Sequence, residues 1–149
     1  MKPKIPTPLK LEHKDLHAEL VRATKAGGKT AAAAKAVAKV LHPHFVKEEE
    51  FALPPIGLLS QLGRGKVDRK MRSVLGMTDR LKAELPEMLR EHKAIVSALK
   101  KLIAAAKKEK KPVHARFAEK LMLHAKTEED VLYPAAILIG DYLRLRLER

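Results

Sequence analysis

Six residues of this 149-residue chain have the types and spacing to hold a metal ion. His44 and Glu48 stand four apart, as do His124 and Glu128. On a helix, residues i and i+4 share one face, a turn apart. Each pair would therefore present an imidazole and a carboxylate in the same direction. A further histidine lies upstream of each pair, His13 in the first half and His92 in the second, each preceded by Glu and followed by Lys. The chain has no cysteine. Disulfides, zinc fingers, iron–sulfur clusters and thiol catalysis are excluded together, and any metal must be held by nitrogen and oxygen.

The two halves are copies. Glu12-His13-Lys14 matches Glu91-His92-Lys93, and HFVKEEEFALP from His44 to Pro54 matches HAKTEEDVLYP from His124 to Pro134. The shared core is His-x-x-x-Glu-Glu-acidic-x-x-x-Pro. The repeat sets four imidazoles and two carboxylates on stripes that are otherwise apolar: Leu9, His13, Leu16, Leu20; Val37, Leu41, His44, Glu48; Met88, His92, Ile95, Leu99; Phe117, Leu121, His124, Glu128. One histidine on such a stripe reads most simply as a hydrogen-bonded core residue. Four at equivalent positions, two of them with a carboxylate one turn on, do not. Buried together without a counter-ion they would be costly, and a shared cation removes that cost.

The donor set suits iron, manganese or zinc. Six donors are too many for one tetrahedral zinc and suit a dinuclear centre with bridging carboxylates, its ions roughly 3.5–4 Å apart. A ferritin-like di-iron site uses Glu-x-x-His. No histidine here has a glutamate three residues before it, so that class is disfavoured.

Helices must position these groups. Ala, Leu, Lys, Glu and Arg dominate, and no stretch sustains strand alternation. Pro8 opens a first helix, which Gly27-Gly28 closes. Thr30 is the expected N-cap of a second helix, which Pro54-Pro55 bends or ends. The stretch from Leu62 to Leu85 reads as a connection with a shorter helix. Pro86 is expected to open the third long helix and Pro112 the fourth, with a kink near Pro134. The predicted fold is all-α, an antiparallel four-helix bundle of two repeated helical hairpins with a short extra helix in the connection between helices 2 and 3.

The order His, His-x-x-x-Glu, His, His-x-x-x-Glu-Glu resembles the hemerythrin-like HHE cation-binding domain family, over about residues 9–134. The resemblance implies a four-helix bundle holding a non-haem di-iron centre. Its ligands would be His13, His44, Glu48, His92, His124 and Glu128, with both glutamates bridging. One departure stands out. Oxygen-carrying relatives have a further histidine one turn before the position of His92, where this chain has Met88. His17, one turn after His13 and equivalent to the apolar Val96, is expected to face inward and is the candidate fifth imidazole. With it, one metal is saturated and reversible oxygen binding is favoured. Without it, both metals keep an open position, which suits sensing, peroxide chemistry or iron exchange.

Other polar residues read as supporting or exposed. Glu49 and Glu129, about 140° around a helix from their histidines, are expected beside the ligands or on the surface, as are Glu12 and Glu91. His42 and His114 read as surface residues. Tyr133, beside Pro134, reads as a core ring, with the alternative that it approaches the site as an oxidisable neighbour.

Composition sets the remaining bounds. Apolar residues are 46% and charged residues 33%, enough to fold one domain spanning 1–149. The net charge of +13 suits an anionic partner. Aromatics are only 3%, and neither aromatic interleaving nor a binding motif accompanies the charge, so nucleic acid is not the expected partner. No signal-peptide core or membrane-length apolar run is present, and the cytoplasm is the expected compartment. The leading expectation is a di-iron protein that binds or senses dioxygen or a related small oxidant, a binding protein rather than an enzyme. The alternatives are an iron-handling or nitric oxide/peroxide stress-response factor, and a basic partner-binding bundle with a structural metal.

Overall fold

A computed structural model describes residues 1–148. Every regular element among them is helical: α1 (Thr7–Thr24), α2 (Gly28–Lys47), the short α3 (Leu59–Gly63), α4 (Leu75–Lys108), α5 (Pro112–Thr127) and α6 (Tyr133–Leu147). The expected four-helix bundle is formed by α1, α2, α4 and the α5–α6 pair. The connection from α2 to α4 holds α3 between two 3₁₀ turns, Pro54–Leu58 and Arg69–Val74.

The proline punctuation acts as expected at Pro8 and Pro112, which sit in the first turns of α1 and α5. At Pro86 it does not. α4 begins at Leu75 and runs through Pro86 for 34 residues. The lost backbone bond is tolerated because Leu81 and Met88, on either side of the proline, are both fully buried in the core. At the start of α2, Thr30 is not the cap. Gly27 and Gly28 turn the chain with φ of 76° and 61°. Glu109, from the end of α4, then accepts hydrogen bonds from the Lys29 N–H, the Thr30 N–H and the Thr30 hydroxyl.

Two π turns interrupt the helices, Glu48–Ala52 after α2 and Glu128–Leu132 before α6. They fall on the repeated acidic-to-proline segment. Pro54 and Pro134 have no N–H for the α-helical ladder. The N–H just before each proline, of Leu53 and Tyr133, instead reaches five residues back to the carbonyl of Glu48 and Glu128. The kink expected at Pro134 is this π turn.

The core is layered along the bundle. One apolar cluster joins Leu16, Leu20, Val37, Leu41, Ile95, Leu99, Phe117 and Leu121. A second joins Phe51, Leu53, Leu81, Met88, Tyr133 and Ala136. The histidine–glutamate group lies between them. A third cluster, including Met71, Val74, Ile139 and Leu143, seats α6 on the α2–α4 connection.

Candidate metal centre

His13, His44, Glu48, His92, His124 and Glu128 are all buried, and Glu48 is fully so. Two groups of potential ligand atoms form: His44, Glu48, His92 and Glu128 at one end, and His13, His124 and Glu128 at the other. Within each group the atoms lie within 4.8 Å of one another. The carboxylates reach both ends. Glu48 turns Oε1 toward His13 Nε2 (3.8 Å) and Oε2 toward His44 Nε2 (3.6 Å). Glu128 turns Oε1 toward His92 Nε2 (3.2 Å) and Oε2 toward His124 Nε2 (3.2 Å) and His13 Nε2 (3.5 Å). Phe45 stacks on the His13 ring at 4.2 Å.

A ring of four outer carboxylates meets the other nitrogen of each imidazole. His44 Nδ1 bonds Glu91 (2.9 Å), His92 Nδ1 bonds Glu129 (2.9 Å) and His124 Nδ1 bonds Glu12. Glu49 faces His13 Nδ1 at 3.5 Å. Each carboxylate comes from a different element than the imidazole it meets. When Nδ1–H donates to a carboxylate, the Nε2 lone pair points inward and becomes more basic, as a metal ligand requires. These four glutamates therefore face the histidines rather than solvent alone. Lys47 completes one of these contacts, bonding the second oxygen of Glu91 at 2.8 Å.

The electrostatics are set by burial and by the close pairing of imidazoles with carboxylates. Burial and the nearby Glu128 push Glu48 up to about 7. Burial also penalises charge on Glu128, yet hydrogen bonds from Glu48, His124, His13 and His92 hold it well below the usual carboxylate range. For His124, burial disfavours the cation, but Glu128 and Glu12 outweigh it and raise the imidazole to about 9. His13 and His44 are raised in the same way.

The donor set fits a metal on a second count. His13 Nδ1 and Nε2, Glu48 Oε1, His124 Nε2 and Glu128 Oε2 are buried without a hydrogen-bond partner among the described residues. Orphaned buried polar atoms are rare and costly. Among them, Glu128 Oε2 lies 3.5 Å from His13 Nε2 and 3.2 Å from His124 Nε2, and a cation held by these three residues would satisfy them together.

The expectation for His17 is not met. His17 is exposed, and its repeat equivalent Val96 is only half-buried. His17 sits on a surface cavity of about 330 Å³ between α1 and α2, with His13, His42 and Glu49 also on its wall. An i+4 offset carries a residue about 40° around the helix, enough here to leave the apolar stripe that His13 occupies. Met88 is fully buried in the apolar layer below the site. His42 is exposed and His114 half-buried in the first turn of α5.

Tyr133 takes the alternative given for it and approaches the site. Its hydroxyl donates to Glu48 Oε2 at 2.6 Å and stands 3.1 Å from both His44 Nε2 and His92 Nε2. On an unbroken α-helix it would lie about 180° from His124. The π turn rotates it inward. Burial, with Glu48 and Glu128 close by, keeps the phenol protonated well past its ordinary range. The repeated proline after the acidic run is the sequence signal for that rotation.

The model of the hemerythrin HHE cation-binding domain matches residues 6–136. The chain belongs to this family: an all-helical bundle with a buried histidine–glutamate cluster that fits a metal site. Comparison with curated proteins and with solved structures finds no match. No helix among the described residues is long and apolar enough to cross a membrane.

Proposed function

We propose that the cluster is a non-haem di-iron centre through which the protein binds or senses dioxygen or a related small oxidant. The proposed ligands are His44 and His92 at one end, His13 and His124 at the other, and Glu48 and Glu128 across both. The observation that carries this reading is the span of the two carboxylates, each with one oxygen toward either pair of imidazoles. That is the arrangement in which a carboxylate bridges two ions. Manganese or zinc would meet the same donors. If iron were held at both positions, the centre would offer one-electron chemistry at each toward a small oxidant.

The chain's own residues prepare this chemistry. Glu12, Glu91 and Glu129 fix imidazole orientation through Nδ1. The apolar layers on either side bury the donors. With His17 exposed beside His13 and Met88 one turn before His92, neither end gains a fifth imidazole. This favours oxidant sensing, nitric oxide or peroxide chemistry, or iron handling over reversible oxygen carriage.

The test is elemental analysis after anaerobic iron(II) loading, with optical spectra before and after air. Two irons per chain and a spectrum that changes in air are expected. At most one metal per chain would overturn the di-iron reading, and two irons indifferent to air would leave the metal a structural role.

A further inference from the structure

The two ends of the cluster are not alike, although the sequence repeat would make them so. The equivalent of Tyr133, 80 residues earlier, is Leu53, which is buried and carries no oxygen. A phenol oxygen therefore stands at the His44–His92 end, and at the other end the His13 and His124 Nε2 atoms are unpartnered. The distances are informative. Two donors at right angles on metal bonds of about 2.1 Å stand about 3.0 Å apart. Tyr133 Oη lies 3.1 Å from each of the two Nε2 atoms. The phenol oxygen thus stands at the spacing that adjacent donors would take around a metal shared with both imidazoles.

We propose that Tyr133 is a ligand of the metal held by His44 and His92, so that the centre is asymmetric and its exchangeable position lies at the His13–His124 end. On binding, the oxygen–metal bond forms and the phenol proton leaves to solvent. No electron is transferred in this step. Surface cavities reach both ends, one between α1 and α2 at His13 and one between α4 and α6 at Tyr133, so the asymmetry rests on the phenol and not on access. An anionic oxygen donor also favours the ferric over the ferrous state of that ion. This inference rests on the metal-centre reading above but not on its stoichiometry.

The chain has two tyrosines, so the ligand can be assigned without ambiguity. The other, Tyr142, is only half-buried and meets Arg146 on α6. The protein is loaded with iron(II), oxidised with hexacyanoferrate(III), and examined by absorption and resonance Raman spectroscopy, with iron counted in each sample. The parent and Tyr142→Phe should both show a visible phenolate-to-iron band with enhanced phenolate ring modes, and Tyr133→Phe should lack them. If Tyr133→Phe also loses iron, retention of the ring modes in Tyr142→Phe still assigns them to Tyr133. Iron-loaded parent without the ring modes, or ring modes that survive in Tyr133→Phe, would overturn the proposal. A Tyr133-dependent band in a protein with one iron per chain would uphold this ligand while removing the di-iron reading. A parent that takes up no iron removes both.

Discussion

At each imidazole the same device recurs: one nitrogen faces the centre and the other faces a glutamate from a neighbouring element. The quality of that outer contact differs. Glu91 is half-buried, lies 2.9 Å from His44 Nδ1 and is itself held by Lys47. Glu49 is exposed and 3.5 Å from His13 Nδ1, beyond good hydrogen-bond geometry. Removing a carboxylate that orients a metal-bound histidine typically weakens metal binding by about 10–100-fold. Glu91→Ala is therefore expected to lose affinity in that range, and Glu49→Ala to lose markedly less. Competitive titration against a chelator of known affinity measures both. Equal losses would mean that burial of the outer carboxylate does not govern its effect.

The elements that carry these residues were legible where periodicity spoke and hidden where it broke. Val37, Leu41, His44 and Glu48 obey α-helical spacing up to the glutamate, so the six central residues and the bundle could be read directly. Beyond Glu48 and Glu128 the spacing changes to that of a π turn, and Tyr133 moves to a face that α-helical counting assigns elsewhere. His17 departs in the opposite sense, since equivalence with the apolar Val96 does not turn it inward. The long α4 departs from the proline signal because core contacts of Leu81 and Met88 override a residue that local preference would place at a helix start. What brings Tyr133 home is the seating of α6. A Cβ at Gly140 would lie 2.1 Å from Thr78 Oγ1 and 2.5 Å from Thr78 Cβ on α4. Arg144 adds two bonds to Asp79 on the same face, at 2.7 and 2.8 Å. Gly140→Ala must push α6 outward, an overpacking that costs about 1–3 kcal/mol. Chemical denaturation should show that loss, and an unchanged midpoint would mean that the α4–α6 contact relaxes without strain.

For the molecule as a whole, the centre ties the two hairpins together. His13, His44 and Glu48 come from the first and His92, His124 and Glu128 from the second, and each group of donor atoms draws on both. A metal bound there binds the folded chain and not the separated halves, so binding free energy becomes folding free energy. At 100 times its dissociation constant, one ion adds about 2.7 kcal/mol, or roughly 5–10 °C in Tm for a domain of this size. The gain must depend on pH, because cations compete with protons already on the cluster. His124 is raised from 6.5 to about 9 and Glu48 from 4.5 to about 7. For both, the folded metal-free state holds protons more tightly than the unfolded chain. Their stabilisation is complete below the unfolded values and is lost as pH rises through about 7 for Glu48 and about 9 for His124. Glu128, lowered instead, works in the opposite sense, and its contribution disappears only below 4.5. Metal binding replaces the protons on Glu48 and His124, so the difference in Tm between loaded and chelator-stripped protein is expected to widen steadily from about pH 6 to about pH 8.5. Paired thermal melts across that range make the measurement. A difference that stays flat or narrows with rising pH would show that the cation does not displace the protons held between these two hairpins.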